Sequence, residues 1–149
     1  MVATQLLRLT LLPVVDTRYG LGAGEREVLD DSRRPAIEDG SAWWAARAAI
    51  DALGTHAARH RRSWYDAGSA SDVPAPALVN ALLLTRDALT DRLEATWQQA
   101  LLALLEGASQ REVAASLGVS PSAVSQQTAR GLGAVRDAHG LLLAAVRAS

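Results

Sequence analysis

The 149-residue sequence has no cysteine, no phenylalanine and no lysine, and only three histidines. The missing thiols exclude disulfides and cysteine-built metal sites, which is the usage of a reducing compartment, so a cytoplasmic location is expected. No apolar run approaches the roughly 20 residues of a membrane-spanning helix, and no membrane partner is expected. The apolar opening MVATQLLRLTLLPVVD carries Arg8 inside its stretch, which breaks the pattern of a signal peptide. His56 and His60 stand at i, i+4, but no carboxylate-rich motif accompanies them, and they are read as a surface pair. His139 is unsupported, and no nucleophile motif is present. No catalytic residue, metal or cofactor is expected, and the chain is not read as an enzyme.

A strong charge of either sign is also lacking. Fifteen arginines stand against sixteen acids, a net charge of −1, which argues against a general nucleic-acid coat. Residues 1–70 carry nine arginines and nine acids, residues 71–94 two and four, and residues 95–149 four and three. The one small basic excess, +1, therefore falls in the last third of the chain. That every basic residue is arginine, in an alanine-rich sequence, reads as coding bias. Nearly half the residues are apolar, enough for one ordinary domain or two small ones.

Along the chain, residues 2–12 are apolar and fit helix or strand, ending at Pro13. Residues 14–19 and 25–29 read as strands flanking Gly20, Gly22 and Gly24, and 63–67 as a third short strand. The glycines read as a hairpin or bulge, since a phosphate loop needs a helix directly after them. Residues 39–62 read as a helix capped by Ser41, with Trp43, Ala46, Ile50, Leu53 and Ala57 on one apolar face and a basic end, RHRR. Residues 76–107 read as helical, in two pieces that break near Thr90–Asp91. Trp97, Leu101, Leu104 and Leu105 make a core stripe, and Gly107 ends the second piece. The acidic pairs Asp30–Asp31 and Glu38–Asp39 read as solvated or as charge at a helix start.

The most informative stretch is SQREVAASLGVSPSAVSQQTARG, residues 109–131. Ser109 and Glu112 have capping-box spacing. Val113, Ala114 and Leu117 form an inner face, and Ala114 is small enough for a second helix to cross closely. Gly118 suits a left-handed turn, and Val119 packs inward after it. Ser120 and Pro121 suit the N-cap and first turn of the next helix, which Val124 anchors. This order is that of a helix-turn-helix. The exposed side of its second helix offers Ser122, Ser125, Gln126, Gln127 or Thr128, and Arg130, which are side chains of a length suited to base edges and phosphates. Ser120 and Arg111 complete the candidate DNA-contacting set. Thr128 stands one turn after Val124, where an apolar residue is more usual. The last helix, with Val135, Leu142, Leu143 and Val146, covers the unit or makes a dimer.

The segments RYGLGAGE (18–25), DGSAWWAARAAIDAL (39–53), LVNALLLTRDALTDRL (78–93) and the helix-turn-helix, in that order, resemble the SatD family of bacterial proteins. DG-x-A-W followed by AR-x-A is the most specific element. The resemblance covers the chain from about residue 6. It implies an N-terminal α/β domain and a C-terminal domain of DNA-binding type. Ser41 stands where the family usually has proline. The family's opening strand, with its Gly-Asp pair, and a second acidic motif are absent, as in a truncated gene, a mis-chosen start codon or a shortened natural form.

The expected fold is α+β. A small α/β fragment of two or three strands plus a helix occupies residues 1–70, a linker follows at 71–77, and a helical domain spans 78–149. The expected function is transcriptional regulation by binding double-stranded DNA as a homodimer, two copies being needed to bury the open sheet and to supply phosphate contacts. The candidate dimer surfaces are the strand edge around 14–19 and the apolar helix 135–147. A helix-turn-helix that docks on a protein, and a remnant nucleotide-binding domain with a regulatory tail, are the competing readings.

Overall fold

The computed structural model of the protein describes residues 2–55, 58, 60–71 and 73–148, with the side chains of residues 2 and 146–148 also outside the description. His56 and Ala57, and with them the proposed His56–His60 pair, lie outside the described residues. The elements are α1 (Val2–Leu11), β1 (Tyr19–Gly22), β2 (Glu27–Asp30), β3 (Ile37–Asp39), α2 (Ser41–Leu53), β4 (Ser63–Asp66), α3 (Pro76–Asp91), α4 (Ala95–Leu105), α5 (Gln110–Leu117), α6 (Pro121–Gln127) and α7 (Gly133–Ala148). The fold is α+β. No helix among the described residues is long and apolar enough to cross a membrane.

Two compact units divide the chain, and not at the boundaries drawn from sequence. Residues 18–88 form one, and residues 1–17 with 89–149 form the other. The difference has two physical sources. Arg8 and Leu9 of α1 are buried in the second unit, where α1 packs on α4 and α7. Asn80 and Asp87 of α3 bond to the backbone of β4, which binds most of α3 to the α/β unit.

In the α/β unit β1 pairs in parallel with β4, with Tyr19 opposite Ser63 and Gly22 opposite Asp66. Helix α2 makes the crossover between them and packs on both strands. The hairpin expected between 14–19 and 25–29 does not form. The first strand begins only at Tyr19, and β2 pairs antiparallel with β3, a strand that the sequence reading missed. Gly20 and Gly22 instead serve close packing: a Cβ on them would lie 2.5 Å from the Ala46 carbonyl oxygen and 2.2 Å from that of Ala42. The helix lies directly on the strand, so only small side chains fit beneath it.

This contact also explains why the expected apolar face of α2 is rotated. Ala45, Ala49 and Leu53 are buried, whereas Trp43 and Ile50 are displaced to the flank and exposed. The helix ends at Leu53, not 62, because Gly54 closes it and the chain must turn back to reach β4. Its N-cap is Gly40; the Ser41 hydroxyl instead accepts from the Glu25 amide at 2.9 Å. Of the RHRR segment, Arg61 and Arg62 lead into β4, and Arg61 lies 4.4 Å over the Trp64 ring.

The outer edge of β4 is closed by side chains in place of a third strand. The Asn80 amide both accepts from the Tyr65 N–H and donates to its carbonyl, each at 2.8 Å. The Asp87 carboxylate accepts from the N–H groups of Arg62 and Ser63 at 3.1 and 2.8 Å. An edge that would otherwise leave orphan donors is thereby satisfied.

In the helical unit the core is built on α4, with Ala100, Leu101 and Leu104 buried together with Leu9, Val113, Ala114, Val124, Leu132 and Val135. Trp97 and Leu105 pack against it half-buried, so the expected stripe holds with Ala100 added. Two polar side chains on α1 go into this unit. Arg8, 2% exposed, donates to the Thr90 hydroxyl at 3.1 Å and to the Asp91 carboxylate. Gln5, 1% exposed, has no hydrogen-bond partner for its amide among the described residues.

Candidate nucleic-acid interface

Helices α5 and α6 form the unit anticipated at residues 109–131. The Ser109 hydroxyl accepts from the Glu112 N–H at 3.3 Å, and the Glu112 carboxylate accepts from the Ser109 N–H at 2.8 Å, a complete capping box. The Ser109 N–H first, and the Ser109 hydroxyl second, act on the Glu112 carboxyl and hold it below its usual value. Gly118 follows at φ 65°, ψ 28°, the left-handed conformation that turns the chain after α5. The Ser120 hydroxyl then accepts from the Ala123 N–H at 3.1 Å, with Pro121 in the first turn of α6. Val113, Ala114 and Val124 are each 2% exposed or less, so the two helices cross on their small and branched residues.

Two substitutions test this register. Ala114→Leu overpacks the crossing, and Gly118→Val forces a branched residue into a left-handed conformation; each is expected to lower stability by about 1–3 kcal/mol. Nothing lies within 4 Å of a Cβ built on Gly118, so the second loss comes from backbone conformation alone. Unchanged melting of both variants would show that the register is wrong.

The second helix of the unit, read as carrying Arg130, ends earlier, at Gln127. Thr128–Leu132 form a kinked turn in which Gly131 sits at φ 151°, outside helical geometry, and α7 begins at Gly133. Thr128 opens the segment in helical conformation. Its hydroxyl donates to the Val124 carbonyl at 2.9 Å, which satisfies a polar group at a position where the core expects an apolar one. Arg130 lies on the turn and not on the α-helix proper.

The candidate contact residues divide by their surroundings. Ser122, Ser125, Gln126, Arg130 and Arg111 are exposed, and Gln127 is half-buried. Ser120 is exposed but its hydroxyl is engaged, as the cap of α6 and in a 2.9 Å bond with Ser122. Ser125 and Gln126 thus carry the free polar surface of α6, with Arg130 beyond its end. Helix α7 packs on α4 and α1 and buries Val135 and His139, whereas Leu142 and Leu143 are half-buried and Leu141 is 74% exposed. The Val146 side chain lies outside the described residues.

Elsewhere the described residues offer little to chemistry. No group of three or more potential metal ligands occurs among them. At the start of α2 the Ala42 amide is bonded to the Glu25 carbonyl at 3.1 Å, which leaves fewer donors for an anion there. Comparison with protein families, with curated proteins and with solved structures finds no match to this chain.

Proposed function

We propose that the protein binds duplex DNA through α6 and acts as a transcriptional regulator. The observation that carries this reading is the conjunction of a capped α5, a left-handed Gly118 and a capped α6. Val124 anchors α6 inward while Ser122, Ser125 and Gln126 face outward. Gln126 has the donor–acceptor pair that matches adenine in the major groove, and the exposed Arg130 is the candidate phosphate contact. Arg111, on the exposed side of α5, is a second phosphate contact.

Gln126→Ala is expected to weaken binding to a preferred site by about 1–3 kcal/mol and to leave random duplex almost untouched. Arg130→Ala is expected to weaken all sequences alike and to reduce the slope of log affinity against log salt by about 1. Fluorescence anisotropy on labelled duplexes, with salt varied, reads both effects. Parental behaviour of both variants on every duplex would remove α6 as the reader.

A second reading has one observation in its favour. Residues 1–17 and 89–149 together hold six arginines and six acids, a balance that gives little attraction to a polyanion. It favours docking of α6 on a protein. Salt dependence separates the two, because only phosphate contacts release counterions in proportion to their number.

A further inference from the structure

We propose that the free edge of β1 and the exposed tryptophans of α2 form one self-complementary surface, on which a second copy of this chain completes a four-stranded sheet. The surface belongs wholly to residues 18–88, so the inference stands independently of DNA binding.

The edge is defined by hydrogen-bond parity. Tyr19 and Ala23 donate to the Arg62 and Asp66 carbonyls of the β4 side. In a parallel ladder alternate residues face the same neighbour, so Tyr19, Leu21 and Ala23 serve β4. The N–H and C=O groups of Gly20 and Gly22 face the other way, and no bond to them is recorded among the described residues. The contrast with β4 is instructive. There the far edge is closed by Asn80 and Asp87, whereas β1 is left as a template for another strand. A two-stranded parallel sheet is also below the size that is stable alone.

The flank of α2 above this edge carries large apolar side chains in the open. Trp43 is 54% exposed, Trp44 69% and Ile50 41%. With Gly20, Arg47, Glu38 and Asp39 they line a groove of about 500 Å³ along β1. Tryptophan is the residue whose exposure is most unusual on a surface with no partner and most enriched at the centre of interfaces.

A second copy is the occupant that fits. If β1 meets its counterpart antiparallel about a two-fold axis at Leu21, Gly20 of each copy lies opposite Gly22 of the other. Those are the residues whose backbone groups point outward, and they form the two hydrogen-bonded pairs, while Leu21 faces Leu21 in the non-bonded position between them. The same axis, normal to the sheet, keeps both α2 helices on one face and turns their Trp43–Ile50 flanks toward each other. The charges that line the groove are largely balanced within the chain, Arg47 by Asp51 and Glu38 by Arg26, so the surface carries little net charge to repel its own copy. The edge proposed here runs from Tyr19, where the strand begins, and not from residue 14.

The chain has no cysteine, so one introduced thiol is unique. Residues opposite each other in a non-bonded antiparallel pair lie about 4.5 Å apart at Cα, within disulfide range. Leu21→Cys is therefore expected to form a covalent dimer under mild oxidation. Leu29→Cys, equally a leucine replacement but on the exposed β2, is expected to stay monomeric on a denaturing gel. In sedimentation equilibrium the parent chain is expected to be dimeric at micromolar concentration. Trp44→Glu, at an exposed position that folding does not need, should raise the dissociation constant at least about tenfold. Hydrogen exchange supplies the matching signature: the Gly20 and Gly22 amides are slow in the parent and fast in Trp44→Glu. A parent that sediments as a monomer at tens of micromolar overturns the proposal. So does a dimer that Leu21→Cys fails to trap and Trp44→Glu fails to weaken, since it would form through another surface.

Discussion

Asp91→Ala is expected to lower the stability of the unit made of residues 1–17 and 89–149 by about 3 kcal/mol, toward the lower end of losses seen when one partner of a buried pair is removed. Arg8 is 2% exposed, so its guanidinium has given up nearly all its water. Asp91 is 28% exposed, so water can enter the vacated position and partly solvate the guanidinium, which is why the lower end applies. Removing the carboxylate takes this counter-charge from the buried guanidinium, while its bond to the Thr90 hydroxyl stays. Arg8→Met, which removes the charge and keeps the stem, should cost less than Asp91→Ala. Urea denaturation of the three proteins checks the order. Equal stability of Asp91→Ala and the parent would contradict the placement of α1 against this unit.

Asp87→Ala is expected to destabilise the α/β unit by about 3–5 kcal/mol. Two backbone N–H groups, of Arg62 and the fully buried Ser63, lose their acceptor together, at roughly 1–3 kcal/mol for each buried donor left unsatisfied. The Arg86 guanidinium, bonded to the same carboxylate at 2.9 Å and to the Ser63 hydroxyl at 2.7 Å, loses its counter-charge as well. Asp87→Asn keeps one acceptor oxygen but not the charge, and should fall between. Loss of slow hydrogen exchange at Ser63 and Tyr65 locates the effect at β4. Retained protection there in Asp87→Ala would show that the edge is closed by some other means.

The helix-turn-helix was legible because its signals are local. A capping box, a left-handed glycine and a Ser-Pro start act within a few residues of one another, and the geometry at Ser109, Gly118 and Ser120 follows the sequence closely. The α/β unit was less legible because its determinants are tertiary. Helical spacing alone put Trp43 and Ile50 inward. What left them at the flank was the close seating of the α2 backbone, at Ala42 and Ala46, on a glycine strand twenty-odd residues earlier. The cap at Ser41 was misread for the same reason, since its hydroxyl is claimed by Glu25. Arg8 was read only as a break in an apolar run; its partner Asp91 lies 83 positions away and leaves no local trace. The break anticipated near Thr90–Asp91 did appear, at the end of α3, and the same two residues hold Arg8.

The acidic pairs behave as solvated groups with local roles. Asp30 accepts from the Ser32 hydroxyl and amide, and these bonds, the hydroxyl one first, lower its pKa. Glu38 pairs with Arg26 across the hairpin, and Asp39 accepts from the Gly40 N–H at 2.7 Å. None of this favours a catalytic role for them, and it accounts for their placement at β2, β3 and the start of α2.

The central claim is that α6 reads duplex DNA, and selection of bound duplexes from a random pool by the full-length chain tests it most directly. Enrichment of a short motif, lost when Gln126→Ala is used in place of the parent, is the predicted result. Repeated rounds with folded protein that enrich no sequence, or that enrich the same motif with Gln126→Ala, would contradict it.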